Sequence, residues 1–527
     1  MEDPAEEAPD DGRSSSNGDL PFKVIEIAPD GDILLDVTFD TSKETLKRAR
    51  RAAKPRPGQK TQNPPPPAPK ARVRLGYRVQ LSVLKHNSKY FDNLLSDTRF
   101  AEARSIEAAF EQLSLQNVKP SEAEARHLPV VQIHEDDEAT QSAGQESVFA
   151  DLLMILHRKQ STAAKSVTMH YLAVLALLAD RFDCTPIVSR YLSALKYKWP
   201  ATQTRLSRED GHALSRAAEE TLRQKILVSW LLDQPLKMHA ATRELVMYGS
   251  RRWLVTGEED EEEETYRAAW WDLPDGLERE LQHRRDCILN TIASVPRHFL
   301  RLYTTSRTRQ CQLGYDSSAS CDSYQLGEMV KFLVSRGLLF LVDFFSLHSS
   351  IMYDNSTDTT TAAAVADVGH VLATLRQCPS YQIDKHHTNC GLRTRMLPAL
   401  EHIQAMLSSN VVSVSRQAWA RDRAAASWFA ASTSSSASSW DRGRDGDVSG
   451  DAGEDGGGGD GKGWKEEKKK KVYRFTRAVA TDQRLRYEGA MAVDRAARKL
   501  FTADEWDWTA EDQREADGLG ARWMSGR

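Results

Sequence analysis

The chain has 527 residues, of which 40% are hydrophobic and 28% are charged, so it has ample material for buried cores and for about three domains. Its formal net charge is only -4, which excludes a strong overall field that would attract nucleic acid or an anionic membrane. Charge is instead concentrated locally, in blocks of one sign.

Residues 1–20 are acidic and polar and lack the basic start and apolar run of a signal peptide, so we expect a disordered tail. The longest apolar stretches, Val167–Ala179 and Met329–Phe345, are interrupted by histidine or charged residues, which argues against a membrane span. Six cysteines are too few for a secreted disulfide framework. These features predict an intracellular protein, cytoplasmic or nuclear, that is neither secreted nor transmembrane.

Residues 21–200 combine strand and helix patterns and predict one α+β unit. Asp32–Asp40 and Arg72–Gln80 are apolar runs that predict two strands of a hairpin, and Leu128–Asp137 predicts a further strand. Helical spacing begins at Ser82 and returns in three segments after residue 145. A basic, proline-rich segment (41–71) and a polar segment (101–127) interrupt the pattern as long inserts.

The remaining sequence predicts a mostly α-helical region over residues 201–410, with an acidic loop at Glu258–Glu264. Residues 432–471 are low-complexity Ser, Gly and Asp followed by lysines, and we expect a disordered linker. Helical character returns in the C-terminal tail, 472–527. Because its tryptophans would be costly to expose, we expect this tail to dock onto the helical region.

The N-terminal motifs, in their order along the chain, resemble the BTB/POZ domain. The residues that carry the resemblance are Asp36-Val37, Tyr77, Val79, Leu84, Ser88, Tyr90 and Phe91, followed by the segments VVQIHEDD, FADLLMILH and YLAVLALLADRFDC. Segments 286–333 and 380–393 and the FTADEWDW motif are similar to the C-terminal part of fungal BTB-containing proteins. The expected fold is therefore a BTB/POZ-like domain followed by a helical body.

The resemblance implies a non-enzymatic protein that binds other proteins, either itself or a partner for which it acts as an adaptor. For self-association, the strand Phe22–Ile27 is exchanged between copies; the alternative is that it caps its own sheet. For a cullin scaffold of a ubiquitin ligase, Phe100-Ala101-Glu102 fits a hydrophobic-x-Glu step, although such a triplet is very common by chance and we expect a plain loop there. Asp36 is the third expected interaction residue, with Gln80 standing where the family commonly has histidine.

Four residues have the chemistry of a metal site. Cys311, Cys321, His387 and Cys390 supply soft sulfur and imidazole ligands of the kind that tetrahedral zinc prefers. Four protein ligands would close the site, so the zinc would be structural. The alternative is that these are reduced cysteines packed as small hydrophobic residues.

Rival functions have weaker support. Lys468–Lys471 and the basic stretch Lys43–Arg74 suggest a nuclear regulator that binds nucleic acid, but aromatic residues for base stacking are absent there, so nucleic acid is an unlikely partner. Gly456–Lys462 resembles a phosphate loop without the required Ser or Thr. A metalloenzyme would need an open coordination position and a general base, for which the sequence offers no candidate. We therefore expect protein partners, with neither a small-molecule substrate nor a membrane.

Overall fold

The structure is a computed structural model, and it shows a mixed α+β protein. It describes residues 21–52, 69–160, 167–195, 199, 214–253, 267–305, 309–311, 313–342, 366–387, 390–429, 470–476, 479 and 489–509. The predicted acidic tail (1–20), the proline run at 64–67, the acidic loop at 258–264 and positions 432–469 of the predicted linker lie outside these residues.

The described residues fall into two units. Unit 1 comprises those up to 199 together with 267–269, and unit 2 comprises those from 214 to 253 and from 270 onward. Unit 1 contains the strands β1 (Lys23–Glu26), β2 (Ile33–Asp40), β3 (Arg72–Val79) and β4 (Val130–Glu135). Its helices are α1 (Lys43–Ala52), α2 (Leu81–Asn87), α3 (Lys89–Ser96), α4 (Ala101–Leu115), α5 (Gln145–Leu156), α6 (Met169–Arg181) and α7 (Thr185–Ala194).

The four strands form one sheet in the order β1-β3-β2-β4. Strands β2 and β3 pair antiparallel, from Ile33 opposite Val79 to Asp40 opposite Arg72, which confirms the predicted hairpin. Strand β1 pairs parallel with β3, and β4 pairs parallel with β2. Within this chain, β1 therefore lies at the edge of its own sheet.

One face of the sheet packs on an aromatic cluster. The Phe149 ring lies 5.7 Å from Phe39 and 5.4 Å from Tyr77, between centroids. Phe91 of α3 and Phe182, just after α6, stack at 5.3 Å with an interplanar angle of 8°. Phe149 also contacts Phe182 at 5.5 Å. These ring contacts are worth roughly 0.5–1.5 kcal/mol each beyond burial, and they join α3, α5 and α6 to the sheet.

The two predicted inserts contain helices, α1 in the first and α4 in the second. Helix α4 covers the second face of the sheet, where its Leu113 packs in a cluster with Leu34. Its buried positions are only Ala103, Ile106 and Leu113, so its apolar stripe was too thin to be read from the sequence. Helix α1 lies in the basic insert, and its strong charge concealed the helical pattern.

Three side chains fasten β1 to the sheet. Arg74 binds Asp36 with both ends of its guanidinium, at 2.9 Å and 2.6 Å, and lies 5.0 Å from the centre of the Phe22 ring. The Phe22 ring in turn lies over Gly76, where an added Cβ would come within 2.5 Å of it. Gly76 is therefore required by this close approach of ring and backbone.

Unit 2 is built mainly from helices. These are α8 (Arg216–Leu231), α9 (Pro235–Tyr248), α10 (Leu277–Thr305), α11 (Ser318–Ser335), α12 (Val368–Arg376), α13 (Leu392–Met406), α14 (Arg416–Arg421), α15 (Arg423–Ala426) and α16 (Ala490–Phe501). Two short strands, β5 (Val472–Arg474) and β6 (Glu505–Asp507), pair in parallel. The long α10 packs against α9, α11, α13 and α16. Among the described helices, none is both long and apolar enough to cross a bilayer.

The C-terminal segment packs onto these helices through aromatic side chains. Trp508 donates its indole N–H to Ser294 Oγ of α10 at 2.9 Å, and Tyr473 OH lies 2.8 Å from His402 Nε2 of α13. Burial lowers the pKa of His402 to about 4, so the imidazole that faces this tyrosine is neutral at neutral pH. At the end of the predicted linker, the Lys471 amide already donates to Asp504 at 2.8 Å.

Buried arginines hold unit 2 together from inside. Arg223 is fully buried and binds Glu219 at 3.0 Å and Glu278 at 2.8 Å. Arg284 pairs with Glu280 at 2.7 Å, and three backbone carbonyls, those of Val411, Ser413 and Ala426, accept from its guanidinium. A buried charge costs several kcal/mol unless it is paired and fully hydrogen bonded, so these contacts are obligatory.

We predict that Gly76→Ala lowers the stability of unit 1 by about 1–3 kcal/mol, because the Phe22 ring must move off the strand. Gly327→Ala is the matched control: nothing lies within 4 Å of its added Cβ, and alanine is the better helix former in α11. Scanning calorimetry should show a lower melting transition for the first variant only. Equal transitions would contradict the close packing of Phe22.

We also predict that Arg223→Met destabilises unit 2 by about 3–5 kcal/mol, because Glu219 and Glu278 lose their cation. Arg376→Met removes a single ion pair with Glu401 at the surface, where the charged atoms are 3.8 Å apart, so its cost should stay below about 1 kcal/mol. Urea unfolding followed by circular dichroism measures both. If the two variants unfold at the same urea concentration, the buried network does not stabilise unit 2.

Candidate metal centre

The structure brings together the four residues that the sequence singled out as metal ligands. One ligand atom from each of Cys311, Cys321, His387 and Cys390 lies within 4.8 Å of the others. Three of the residues are buried, and Cys390 is half-buried. The four therefore form a cluster that could hold a metal ion.

Cys321 and Cys390 lie at or close to the start of a helix, and Cys311 and His387 lie in connecting segments. Cys311 precedes α11, and Cys321 lies in the first turn of that helix. His387 lies in the segment after α12, and Cys390 stands two residues before α13 begins at Leu392. Three separate parts of the chain thus meet at one point.

The distance between sulfurs distinguishes a metal site from a disulfide. Cys311 Sγ and Cys390 Sγ are 3.6 Å apart, and every cysteine of the chain is a free thiol. A disulfide requires about 2.05 Å. A tetrahedral metal with metal–sulfur bonds of about 2.3 Å separates its sulfurs by about 3.8 Å. The observed spacing therefore fits shared coordination.

His387 is oriented by a carboxylate. Its Nδ1 lies 2.8 Å from Asp384 Oδ1 and, when protonated, donates to it. Its Nε2 is buried and has no hydrogen-bond partner among the described residues. A ligating histidine commonly bonds a carboxylate through one ring nitrogen and the metal through the other, so Nε2 is the nitrogen left for an ion.

Asp384 is held in its ionised form. It accepts hydrogen bonds from His387, from the His386 amide at 2.8 Å and from Ser317 Oγ at 2.8 Å. These bonds hold the pKa of Asp384 well below its usual range, and the carboxylate in turn raises the pKa of His387. The pair fixes the ring and strengthens it as a ligand.

The thiols resist ionisation together unless a cation is present. Burial, followed by the charge of Cys311, raises the pKa of Cys321 to about 12, and burial raises the pKa of Cys390 to about 11. Burial also opposes ionisation of Cys311, but hydrogen bonds from Ser318 and the Leu313 amide outweigh it and lower the pKa of that thiol. Three thiolates side by side would therefore require a positive ion between them.

Several supporting residues escaped the sequence analysis. Asp322 of α11 accepts from the Gln310 and Cys311 amides at 2.8 Å and 2.9 Å, and Tyr303 donates its hydroxyl to the Cys390 carbonyl at 3.1 Å. Asp384 could have been predicted as a partner of His387, because a carboxylate three positions before a candidate histidine ligand can bind its second ring nitrogen. Asp322 and Tyr303 had no such signal in the sequence.

Asp36, expected as an interaction residue, lies in the interior at 3% exposure. Its carboxylate is paired with Arg74 at 2.6 Å. Gln80 has a different partner, since its side-chain amide donates to Asp30 at 2.6 Å. Asp36 and Gln80 therefore form no shared pocket, and Asp36 supports β1 and β3 from within the sheet.

Phe100 and Glu102 lie at the surface, at the beginning of α4. Phe100 is the N-cap residue and is 43% exposed, and Glu102 follows in the first turn. The expectation of a loop at Phe100-Ala101-Glu102 is therefore wrong. Tyr90 of α3 is 38% exposed. Partial burial raises the pKa of its hydroxyl, and the charges of Glu135 and Glu102 raise it further, whereas Arg181 lowers it. We call Tyr90, Phe100 and Glu102 the α3–α4 surface.

Comparison with known proteins assigns no relative. The chain matches no protein-family model, and neither the curated proteins nor the solved structures yielded a match. The metal cluster and the α3–α4 surface are thus the two features from which a function can be argued.

Proposed function

We propose that this chain is a non-enzymatic protein-interaction protein in which unit 1 is a BTB/POZ-like domain that binds a second protein chain. The observation that carries the proposal is the α3–α4 surface. Tyr90 of α3 and Phe100 at the start of α4 are partly exposed there, on two helices that contact each other. Partly exposed aromatic residues on rigid helices are the usual centres of protein interfaces, because their burial gains much free energy for little lost conformational entropy.

The residues that resemble the BTB/POZ motifs support the proposal by their structural roles. Leu84 and Phe91 are buried. Ser88 caps α3 by accepting from the Phe91 amide at 3.2 Å, and its hydroxyl donates to the Phe182 carbonyl at 2.6 Å. The spacing of Ser88 and Phe91 therefore has a structural reason, because both residues hold α3 against Phe182.

The surface itself combines an apolar centre with charged neighbours. Phe100 offers an aromatic side chain, and Glu102 and Arg99 offer charges of opposite sign beside it. Arg99 is paired with Asp97 at the surface, an ion pair that a partner could exchange at little cost. This arrangement is typical of an interface with an apolar core and a polar rim.

Two occupants of this surface are open to test. One is a second copy of the chain, with self-association as the function. The other is a cullin-type scaffold, for which the chain would serve as a substrate adaptor. The specific observation in favour of the second is that Phe100-Ala101-Glu102 lies at the exposed start of a helix.

We predict that Phe100→Ser weakens self-association of the full chain, or its binding to a cullin N-terminal domain, by at least about 30-fold, as expected for the loss of an interface centre of about 2 kcal/mol. Leu115→Ser is the matched control, since Leu115 is 84% exposed at the other end of α4. Light scattering across a concentration series measures self-association, and titration calorimetry measures cullin binding. A monomer that binds no cullin, or equal effects of both variants, would refute the proposal.

We further propose that the ion at the metal cluster is zinc, with a structural role. Three thiols and one imidazole are the ligand set of many closed zinc sites, and the four protein ligands leave no coordination position for a substrate. Bound zinc would join the segment before α11, the start of α11 and the segment before α13. Its binding free energy would add to the folding stability of unit 2.

We predict one zinc ion per purified chain by elemental analysis, and its loss in Cys321→Ser together with a lower melting temperature. Cys378→Ser is the matched control, because Cys378 is equally buried but lies against Met329 outside the cluster. A strong chelator should destabilise the wild-type protein and the control, but not Cys321→Ser. A wild-type protein that carries no zinc and gains no stability from added zinc would rule the site out.

A further inference from the structure

Helix α1 presents one strongly basic face. Lys43, Lys47, Arg50 and Arg51 follow one another at helical spacings of i, i+4, i+7 and i+8, and therefore share a face. All four are exposed, and none makes an ion pair with another described residue. With Leu46 they line a shallow groove with a cavity volume of about 440 Å³. We call these four residues the basic face.

The opposite side of α1 is fastened to the loop at residues 137–141, which directs the basic face outward. Ser42 donates both its amide and its hydroxyl to Asp137, each at 3.0 Å. Thr45 is buried and donates to Gln141 Oε1 at 3.3 Å, and Arg48 donates to the Gln141 carbonyl at 3.0 Å. These contacts hold α1 in place, and the four cations of its basic face stay accessible to a binding partner.

A dense acidic run precedes a described segment that contacts the loop at residues 137–141. Residues 258–264 are seven consecutive acidic residues, EEDEEEE. Shortly after them, the Ala269 amide donates to the Ala139 carbonyl at 2.8 Å. Ala139 lies two residues before Gln141, the residue that binds Arg48 of α1. The first described residues after the acidic run therefore contact the same loop that holds α1.

The tether is short enough to bring the charges together. Four residues lie between Glu264 and Ala269, and the five steps along the chain span at most about 18 Å when extended. A group tethered at such a distance has an effective concentration in the millimolar range. Opposite charges at that concentration associate readily unless salt screens them.

We propose that the basic face of α1 binds the acidic run 258–264 of the same chain. The run matches the face in sign and exceeds it in charge, with seven carboxylates for four cations. The acidic N-terminal tail is the weaker candidate, since its seven acidic residues are spread from Glu2 to Asp19 and it carries Arg13 among them. In this arrangement the acidic run shields the basic face from polyanions such as nucleic acid.

The test measures how accessible the basic face is in the full chain. The probe is a fluorescein-labelled EEDEEEE peptide, added at low ionic strength and followed by fluorescence anisotropy. A run-neutralised variant carries Gln or Asn at all seven positions from 258 to 264. We expect it to bind the probe at least tenfold more tightly than the wild type, and to lose this gain when Lys43, Lys47, Arg50 and Arg51 are also changed to Gln.

A tail-neutralised variant is the matched control. It carries the same seven charge removals at Glu2, Asp3, Glu6, Glu7, Asp10, Asp11 and Asp19, so its net charge equals that of the run-neutralised variant. We expect it to bind the probe as weakly as the wild type. An equal gain in both variants would mean that net charge alone governs binding, and would overturn the proposal.

Two further outcomes would also overturn it. One is a run-neutralised variant that binds the probe no better than the wild type. The other is a labelled DNA duplex that binds the wild type and the run-neutralised variant equally, through the same four cations, since the face would then be open to nucleic acid. Hydrogen exchange gives an independent readout: amides of α1 should exchange faster in the run-neutralised variant while those of β2 stay unchanged.

Discussion

Charge taken out of water has to be compensated, and this constraint organises unit 2. The guanidinium groups of Arg223, Arg284 and Arg285 are buried, and each bridges elements that are far apart in the sequence. Arg284 collects carbonyls from the segment after α13 and from the end of α15, and Arg285 does the same at the end of α9. Because carbonyls at helix ends have no partner within their own helix, a buried helix end needs a donor of this kind. The packing of unit 2 around α10 therefore depends on arginines of α8 and α10 as much as on apolar contacts.

Unit 1 meets the same constraint in a simpler way. Strand β2 is buried from Ile33 to Phe39, so both faces of the sheet must be covered, one by the aromatic cluster and the other by α4. The one buried carboxylate in the middle of that strand, Asp36, is neutralised by Arg74. Other charged and aromatic groups of unit 1 lie outside: the α3–α4 surface at one place and the basic face of α1 at another. The two surfaces that we propose as binding sites are thus formed by side chains that are not buried in the core.

The C-terminal segment and the surroundings of the metal cluster both connect distant parts of unit 2. Trp508 donates to Ser294 of α10, and the Tyr473 hydroxyl lies against His402 of α13. Near the cluster, Tyr303 of α10 donates to the carbonyl of Cys390, which stands two residues before α13. An ion held by the three cysteines and His387 would add a further connection between segments that are distant in sequence.

Elements whose signal is local could be predicted from the sequence. Alternating apolar residues predicted β2, β3 and β4, and helical spacing predicted α5, α6 and α10, because each of these elements buries a broad apolar face of its own. Residue chemistry alone also selected Cys311, Cys321, His387 and Cys390 as possible ligands. The folded structure was needed to show that these four meet, that Asp36 is paired inside the sheet, and that α4 is a helix covering β2. The physical reason is that these outcomes depend on contacts between distant parts of the chain. The thin apolar stripe of α4 and the lone carboxylate of Asp36 are stabilised by partners that the local sequence does not reveal.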